Sequence, residues 1–424
     1  MKKLLFFTPF LAYAISFNQI KTDIVNSTTY QIESKKIKLL NAKLKTINNQ
    51  KYGNLQINYT AIRFLTRPYI KTEVAVGVNN NQLIYQQMDI NSADMNHFIA
   101  ELSYSLPIFN KSLNMSIKKS KLELIKQKLE LDNVKRVLFL KTLELYTNIY
   151  ALDANIKSLQ FSKKALLSAK EKSKSLYQAG LLDKANYDEI EAKYYEVIAQ
   201  IENLKAKKDS LLDTLSYVLN KKIENIEGIY LDDTQINPNF LNRADVKVIK
   251  ETLNISNQNI KLAKSTYYPQ IGLKVGLKRE GDNFDLSKND YSNLDKSYVA
   301  LEVSYKFDGS NKYKVQTAKI AKNINNLFFI DYLNKVKMEF NNDKRDKKAL
   351  FAQLKYINHE IKARESFYSY IKAKFNEGLA DATDLNNAIA KLAIAKSKKE
   401  YIKSKIFFLN EKMKIDGGVD VFSK

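Results

Sequence analysis

The feature that most constrains this chain is a long segment, Lys111 to Tyr177, that contains neither glycine nor proline. Within it an apolar residue recurs at every seventh position: Ile117, Leu124, Leu131, Leu138, Leu145, Leu152, Leu159 and Leu166. A sustained seven-residue apolar repeat is typical of a coiled coil. One continuous helix of this length extends on the order of 100 Å, whereas the mean globular helix has only about 11 residues. The segment therefore predicts a rod.

A second segment, Ser310 to Phe375, shows the same pattern less regularly. Its register positions are Leu333, Phe340, Leu354, Ile361, Tyr368 and Phe375, and Lys347 interrupts them. The chain has only 11 glycines and 5 prolines in 424 residues, so turns are few and the elements are long. Two rods in one chain suggest a protein that spans a distance.

Each rod ends in a similar turn, YQAGLLDKANY in the first and FNEGLADATDL in the second. The glycines, Gly180 and Gly378, stand where the C-terminus of a helix favours a residue with positive φ. The aspartates, Asp183 and Asp381, stand where an N-cap is wanted, because a carboxylate there accepts hydrogen bonds from free N–H groups. Each turn therefore predicts a tight helical hairpin with a shorter return helix.

Segments of alternating polarity precede each rod. They predict strands at 69–79 and 97–107 before the first rod, and at 270–279 and 297–307 before the second. We expect a long polar loop between the two strands of each pair. Pro68 and Pro269 stand directly before the first strand of each pair, so the order of elements is repeated.

These elements divide the chain into two structural repeats. We assign a signal peptide to 1–14, an equatorial linker to 221–241 and a C-terminal tail to 417–424. The first repeat, 15–220, contains a helix, the first strand pair, the long helix 111–177, the tip turn 178–183 and a return helix. The second repeat, 242–416, contains a helix, the second strand pair, the long helix 310–375, the tip turn 376–381 and a return helix. Strands of about ten residues fit a membrane β-barrel. A small barrel needs about eight strands, so several chains must share one unless the strands form an open sheet with exposed edges. The predicted fold is mostly α, a long α-helical coiled-coil barrel with four transmembrane strands per chain.

The first residues, MKKLLFFTPFLAYA, have the order of an export signal: two lysines, an apolar stretch and a small-x-small cleavage site. No other window approaches the roughly 20 apolar residues of a transmembrane helix, so a membrane crossing must use strands. Cysteine is absent, which excludes disulfides and a lipid anchor on an N-terminal cysteine.

No pattern in the sequence indicates catalysis, a cofactor or a metal site. The chain has only two histidines, His97 and His359, and contains no GxxxxGK[ST] or HExxH motif. The formal net charge of +23 rests mainly on lysines spread along helices rather than on arginine clusters, so nucleic acid is not expected as a partner. The protein is predicted not to be an enzyme, and partners must supply the energy for any transport.

Several segments together resemble the TolC family, the trimeric outer-membrane exit ducts of bacterial efflux pumps and type I secretion systems. The paired turns, the segment SYSLPIFNKS before the first rod, and NRADVKVIKETLNISNQNIKLAKSTYYPQIGL carry the resemblance, which covers almost all of the chain after the signal. Within the last segment, Arg243, Asp245 and Pro269 match the family pattern position for position.

The resemblance implies a homotrimer in the outer membrane, with a 12-stranded barrel continuous with a helical tunnel through the periplasm. It implies as partners a periplasmic adaptor (membrane fusion protein), an inner-membrane pump of the RND or ABC type, and outer-membrane lipid. It further implies that the duct is passive and opens when the adaptor docks at the hairpin tips, which here comprise Tyr177, Gly180, Leu181, Asp183, Gly378, Leu379 and Asp381.

The resemblance also implies a periplasmic gate and a selectivity ring in the second turn. Well-known members close the gate with a tyrosine hydroxyl and an arginine, whose places are taken here by Phe375 and Ala380. Phenylalanine cannot donate a hydrogen bond and alanine cannot form an ion pair, so the gate must either use other contacts or be looser. Asp384 and Asn387 match the constricting aspartate positions, and one carboxylate per chain would favour cations.

Two other classes remain open. A periplasmic adaptor also carries a helical hairpin, but the duplicated strand pairs count against it. The second class is a structural coiled-coil protein without a pore, and it predicts no role for the alternating strands. Drug efflux and protein secretion are equally compatible with the sequence, and six methionines without cysteine argue weakly against a dedicated exporter of soft metals.

Overall fold

The structure is a computed structural model that describes residues 14–66, 69–91, 95–232, 235–282, 284–285 and 294–422. The described residues form seven α-helices: α1 Phe17–Asp23, α2 Thr28–Asn49, α3 Lys111–Gln178, α4 Lys184–Leu219, α5 Ala244–Ser265, α6 Ser310–Asn376 and α7 Ala382–Asp416. They also form eight strands: β1 Ala14–Ile15, β2 Asn54–Arg63, β3 Tyr69–Asn79, β4 Gln82–Asn91, β5 Asn96–Asn110, β6 Asn225–Ile226, β7 Gln270–Gly281 and β8 Leu294–Ser304.

Chain contacts divide the molecule into two units. One unit contains the chain up to Lys38, Ile125–Thr252 and the chain from Asn325 onward. The other contains Leu39–Leu124 and Leu253–Ile324. The first unit is helical apart from the β1–β6 bridge, and the second holds all the longer strands.

The helical unit has a continuous apolar core near its N-terminal residues. Phe17 contacts three aromatic rings there, with centroid distances of 5.6 Å to Phe139, 5.4 Å to Tyr146 and 5.2 Å to Phe407. Burial of one such side chain stabilises a fold by about 1.5–3 kcal/mol. The Tyr146 hydroxyl donates to the carbonyl oxygen of Glu227 at 2.9 Å, so the linker is held against α3.

The N-terminal prediction falls mostly outside the described residues. Residues 1–13 of the assigned signal peptide are not described, and the last residue, Ala14, pairs in parallel with Asn225 of β6. Pro68, the predicted marker before β3, also lies outside the described residues. Signal cleavage remains a prediction.

The strand unit contains one antiparallel sheet with the order β2-β5-β7-β8. The predicted pairing of 69–79 with 97–107 is wrong: β5 pairs with β2 on one side and β7 on the other. Residues 54–63 had not been predicted as a strand, although Leu55, Ile57 and Tyr59 alternate with polar residues. Alternation identifies a strand but does not identify its partner.

The expected polar loop after β3 is also wrong, because β4 lies within it. β3 and β4 pair through a tight turn in which Asn80 and Asn81 have φ values of 47° and 61°. Asparagine tolerates the left-handed region, and two such residues suit the turn type that joins twisted antiparallel strands. In the second repeat, β7 and β8 do pair, and β8 ends at Ser304 rather than 307.

Across the described part of the chain, no helix is both long and apolar enough to cross a bilayer.

Candidate functional site

The first glycine-leucine turn ends α3 with two backbone hydrogen bonds. Gly180 has φ 70°, its N–H donates to the Tyr177 carbonyl at 3.0 Å, and the Leu181 N–H donates to the Leu176 carbonyl at 2.9 Å. This pair of bonds defines a Schellman motif, which satisfies carbonyls that a helix end leaves free. Asp183 then caps α4 by accepting from the Asn186 N–H at 2.7 Å.

The second turn repeats this geometry at the end of α6. Gly378 has φ 75°, its N–H donates to the Phe375 carbonyl at 3.1 Å, and the Leu379 N–H donates to the Lys374 carbonyl at 2.9 Å. Asp381 caps α7 by accepting from the Asp384 N–H at 2.7 Å. The two turns are therefore the same structural element, built twice.

The starts of α4 and α7 are joined by side-chain hydrogen bonds. Asn186 accepts the Ala382 N–H at 3.0 Å through Oδ1. The Thr383 hydroxyl lies 3.2 Å from each carboxylate oxygen of Glu189, and the Asn386 amide donates to that carboxylate at 3.4 Å. Sequence reasoning did not single out Asn186 or Glu189, because the pairing joins residues that are almost two hundred positions apart. These bonds fix the two turns relative to each other.

The surface of the turns is unusually apolar for loop residues. Leu181 is 70% exposed and Leu379 is 67% exposed. Tyr177 is 43% exposed and stacks on Tyr187 with a centroid distance of 6.2 Å. Exposed large apolar side chains concentrated in one place are a common mark of a protein-binding surface.

Phe375, predicted as a gate residue, lies in a core. Its side chain is 1% exposed and belongs to an apolar cluster formed by α3, α4, α6 and α7, and Ala380 packs against the same cluster. The phenylalanine ring needs no hydrogen-bond partner there, because its neighbours are apolar. Asp384 and Asn387 are both exposed near the start of α7, apart from this core.

The left-handed glycines allow a specific test of the turns. Gly378→Val is expected to destabilise the helical unit by about 1–2 kcal/mol, because a side chain with a Cβ is strained at positive φ. No neighbouring atom lies within 4 Å of the added Cβ, so a clash at the Cβ does not add to the strain. The measurement is the free energy of unfolding of the purified protein in denaturant.

Two matched variants accompany it. Gly378→Asn should cost less, since asparagine tolerates left-handed backbone, and Gly309→Val should cost little because Gly309 lacks a positive φ and also has free space around it. Equal losses at positions 378 and 309 would show that backbone strain is not the cause.

Arg243 and Asp245 belong to a buried ionic network in the helical unit. The Arg243 Nε lies 2.9 Å and 3.0 Å from the two Asp245 oxygens. Arg136 Nη1 lies 3.3 Å from Asp245 Oδ2 and Arg136 Nη2 donates to Asp416. The Tyr332 hydroxyl donates to Asp245 at 2.8 Å. Sequence reasoning found Arg243 and Asp245 by resemblance and missed the three partners, which come from α3, α6 and α7.

The network shifts the titration of its members. Burial alone would raise the pKa of Asp245, but the positive charges of Arg136 and Arg243 outweigh it and hold that pKa below its ordinary value. Burial and the hydrogen bond to Asp245 raise the pKa of Tyr332. Asp245 is therefore ionised at neutral pH, and Tyr332 is protonated and donates.

Stability should consequently fall in acid. A carboxyl group whose pKa is lowered by folding contributes stability above its unfolded pKa, about 3.9, and that contribution is lost as pH falls through the lower folded value. We expect the free energy of unfolding to decrease below about pH 4, and to decrease less steeply in Asp245→Asn. Parallel pH profiles for the two proteins would contradict this assignment. The wild-type protein and Asp245→Asn are compared by measuring their denaturant midpoints between pH 2 and pH 7.

Pro269 stands directly before β7 in the strand unit. Among the described residues there is no group of three or more His, Cys, Asp or Glu side chains that could hold a metal ion.

By sequence, the chain matches no protein-family model and none of the curated proteins. Solved structures match it closely over nearly its full length. The outer membrane protein VceC from Vibrio cholerae has a TM-score of 0.73 at 12% identity, covering 95% of this chain and 96% of that one. The CmeC outer membrane channel of Campylobacter jejuni has a TM-score of 0.77 at 14% identity, covering 95% and 85%. The open state of the MtrE outer membrane channel of Neisseria gonorrhoeae has a TM-score of 0.73 at 12% identity, covering 95% and 89%.

The chain therefore has the fold of bacterial outer-membrane channel proteins. The predicted resemblance to the TolC family is confirmed at the level of the fold. At 12–14% identity, the similarity shows that this chain and those channels share the same arrangement of helices and strands.

Proposed function

We propose that three copies of this chain form a passive exit duct in the outer membrane, with the helical rods in the periplasm. A periplasmic adaptor docks at the two turns and opens the duct, and an inner-membrane pump of the RND or ABC type supplies the energy. The cargo is a drug-like molecule or a secreted protein. No step requires a catalytic residue of this chain.

The observation that carries this proposal is the four-stranded sheet with two open edges. Among the described residues, β2 and β8 each pair on one side only. Unpaired backbone groups in a bilayer cost several kcal/mol each, so a membrane sheet must close on itself. Four strands are too few to close. Joining β2 of one copy to β8 of the next closes three copies into a 12-stranded barrel.

The two turns offer a surface at which the adaptor docks. α3 and α6 each start within a few residues of a sheet strand and end at a turn. Leu181 and Leu379 are exposed there, and hydrogen bonds hold the α4 and α7 starts together. A fixed apolar surface of this kind suits the helical hairpin of an adaptor, because helices bind through apolar anchors.

The direct test is single-channel conductance in a planar bilayer, with the mass of the assembly measured from the same detergent preparation. Stable channels from a three-chain assembly are expected. A monomer or dimer without channels would overturn the proposal and return the chain to the adaptor or coiled-coil class.

A second experiment tests the closure of the sheet. The described chain has no cysteine, so any disulfide that forms must join introduced cysteines. Ile57→Cys in β2 is combined in turn with Val299→Cys, Leu301→Cys and Val303→Cys in β8, all at exposed positions. One register is expected to give disulfide-linked dimers and trimers after mild oxidation, while each single variant remains monomeric on a denaturing gel. No linked species in any register would contradict pairing between copies.

A further inference from the structure

One face of the four-stranded sheet is apolar and exposed. The strand register places alternate residues of β2, β5, β7 and β8 together on this face. Its exposed large apolar side chains are Leu55, Ile57, Leu102, Leu277, Val299, Leu301 and Val303. Soluble proteins rarely expose a continuous apolar surface spread over four strands, whereas the outward face of a membrane β-sheet is apolar. Lipid is therefore the covering that this face fits.

Four helices adjoin the sheet, and all of them do so at the same end. α2 and α5 finish a few residues before β2 and β7 begin, while α3 and α6 start after β5 and β8. The strand residues nearest these helices are register partners: Asn54 with Ser105, Asn110 with Gln270, and Gln270 with Ser304. We call this the helix end of the sheet.

The helix end of the sheet is strongly basic. The helical and linking segments that adjoin it within the strand unit contain 14 lysines and only two acidic residues. These segments are 39–53, 111–124, 253–268 and 305–324. Both acidic residues already have a lysine partner, since the Glu123 carboxylate lies 3.7 Å from the Lys119 ammonium and the Asp308 carboxylate lies 3.0 Å from that of Lys314. A large excess of positive charge therefore remains.

The excess is specific to this end of the rods. The segments around the two turns, 160–199 and 360–398, contain 14 basic and 11 acidic residues. α3 and α6 contribute residues to both sets, so a general abundance of lysine does not account for the difference. The positive charge is concentrated where the helices meet the sheet.

Exposed aromatic rings lie among these lysines. They belong to Tyr52, Tyr267, Tyr268, Tyr305 and Phe307. The Lys111 ammonium lies 5.2 Å from the centroid of the Tyr268 ring, and the rings of Tyr305 and Phe307 meet edge to face at 4.3 Å. Aromatic girdles border the apolar band of membrane β-sheets, and lysine stems extend toward the headgroups from such positions. The helix end of the sheet has both kinds of side chain.

We infer that the helix end of the sheet lies at the bilayer surface and selectively binds the headgroups of anionic phospholipids. The inference rests on the proposed function, in which the sheet spans the membrane and the rods lie outside it. Lysines near an anionic lipid surface are attracted to it over about one screening length. A zwitterionic headgroup carries its own compensating cation, so it should be bound less strongly.

The test measures which lipid surrounds this end of the sheet. The chain contains no tryptophan, so Phe307→Trp provides a single fluorescent reporter at a position that is 89% exposed. The protein is reconstituted in bilayers of phosphatidylcholine and phosphatidylglycerol, with bromine on one lipid at a time as the quencher. The quenching curves give the ratio of the two lipid-binding constants. We expect phosphatidylglycerol to be favoured at least about threefold in roughly 0.1 M salt, and less near 1 M, where screening acts over about 3 Å.

Removal of lysines at the helix end should abolish this preference. Lys51→Gln, Lys264→Gln, Lys306→Gln and Lys312→Gln are combined in the Phe307→Trp protein. All four lysines are exposed, and among the described residues none forms an ion pair with a carboxylate. The binding ratio is expected to fall to roughly one, because the attraction to the anionic headgroup is lost.

A matched control removes the same charge from the helical unit. Lys164→Gln, Lys172→Gln, Lys174→Gln and Lys391→Gln also replace four exposed lysines. This variant should keep the preference of the Phe307→Trp protein. An equal fall of the ratio in both variants would show that net charge, not the helix end of the sheet, attracts the lipid.

The outcomes separate this inference from the proposed function. Absence of channels from the wild-type protein overturns both. Channels with equal binding of the two lipids, or with no quenching by either brominated lipid, overturn the inference alone. The quadruple helix-end variant should retain wild-type conductance, which shows that it is folded. If it does not, Lys306→Gln alone decides, since it should lower the ratio by a smaller factor, and an unchanged ratio there overturns the inference.

Discussion

Asp245→Ala is expected to lower the free energy of unfolding by about 3–5 kcal/mol, because it leaves the buried guanidinium groups of Arg136 and Arg243 to share the one carboxylate of Asp416. Asp245 accepts from Arg243 and Tyr332 and pairs with Arg136, and all of these side chains are buried or half-buried. Removing one carboxylate therefore leaves an excess of buried positive charge. Denaturant unfolding of the purified protein measures the loss.

Asp153→Ala is the matched control. Asp153 also has two basic partners, Lys157 at 2.8 Å and Lys208 at 2.7 Å, but its side chain is 28% exposed. Exposed pairs contribute about 0–1 kcal/mol, so we expect a loss below about 1 kcal/mol. Similar losses in the two variants would contradict a special role for burial.

A double variant separates charge imbalance from loss of contacts. Arg243→Leu with Asp245→Leu removes one charge of each sign and leaves Arg136 paired with Asp416. Replacing a buried pair by apolar residues is often close to neutral. The double variant should therefore recover most of the stability that Asp245→Ala loses.

Leu181→Asp combined with Leu379→Asp is expected to abolish transport in cells while leaving channel conductance intact. The two leucines are the most exposed apolar residues of the turns, and a charge placed in an apolar contact with a partner is strongly unfavourable. Because neither side chain packs in the core, the fold should be unaffected. Transport is read as ethidium retention by cells and as protein released to the medium, beside conductance of the purified channel.

Leu241→Asp serves as the control for that variant. Leu241 is 49% exposed and lies outside both turns, so the same change there should leave transport unchanged. Loss of transport at both places, or retention of transport by the double variant, would contradict docking at the turns.

Local patterns carried the prediction of the helices and turns. α3 spans Lys111–Gln178 and α6 spans Ser310–Asn376, against predicted bounds of 111–177 and 310–375. Gly180 and Gly378 have positive φ, and Asp183 and Asp381 cap helices. Helix stops and starts depend on hydrogen bonds within a few residues, so a short window of sequence contains the information.

The pairing of the strands could not be predicted from so short a segment of sequence. The sequence indicated a strand near 97–107, but not that its neighbours would be β2 and β7. β2 was missed although it alternates locally, because it lies in a region assigned to the helix that opens the first repeat. β4 was missed because its apolar residues Leu83, Ile84 and Tyr85 are consecutive rather than alternating, in a region assigned to a polar loop. Pairing is decided by contacts between distant segments, which local alternation does not record.

The rods, the two turns and the duplication are encoded in local sequence patterns, because heptad spacing, glycine at positive φ and aspartate caps act within one or two helical turns. The packing of the helices, in contrast, makes Phe375 a core residue, brings Arg136, Asp416 and Tyr332 around Asp245, and leaves one face of α7 exposed. Each of these facts depends on which helix packs against which. The pairing of helices is determined by the burial of apolar surface across the whole chain, not by residues adjacent in sequence.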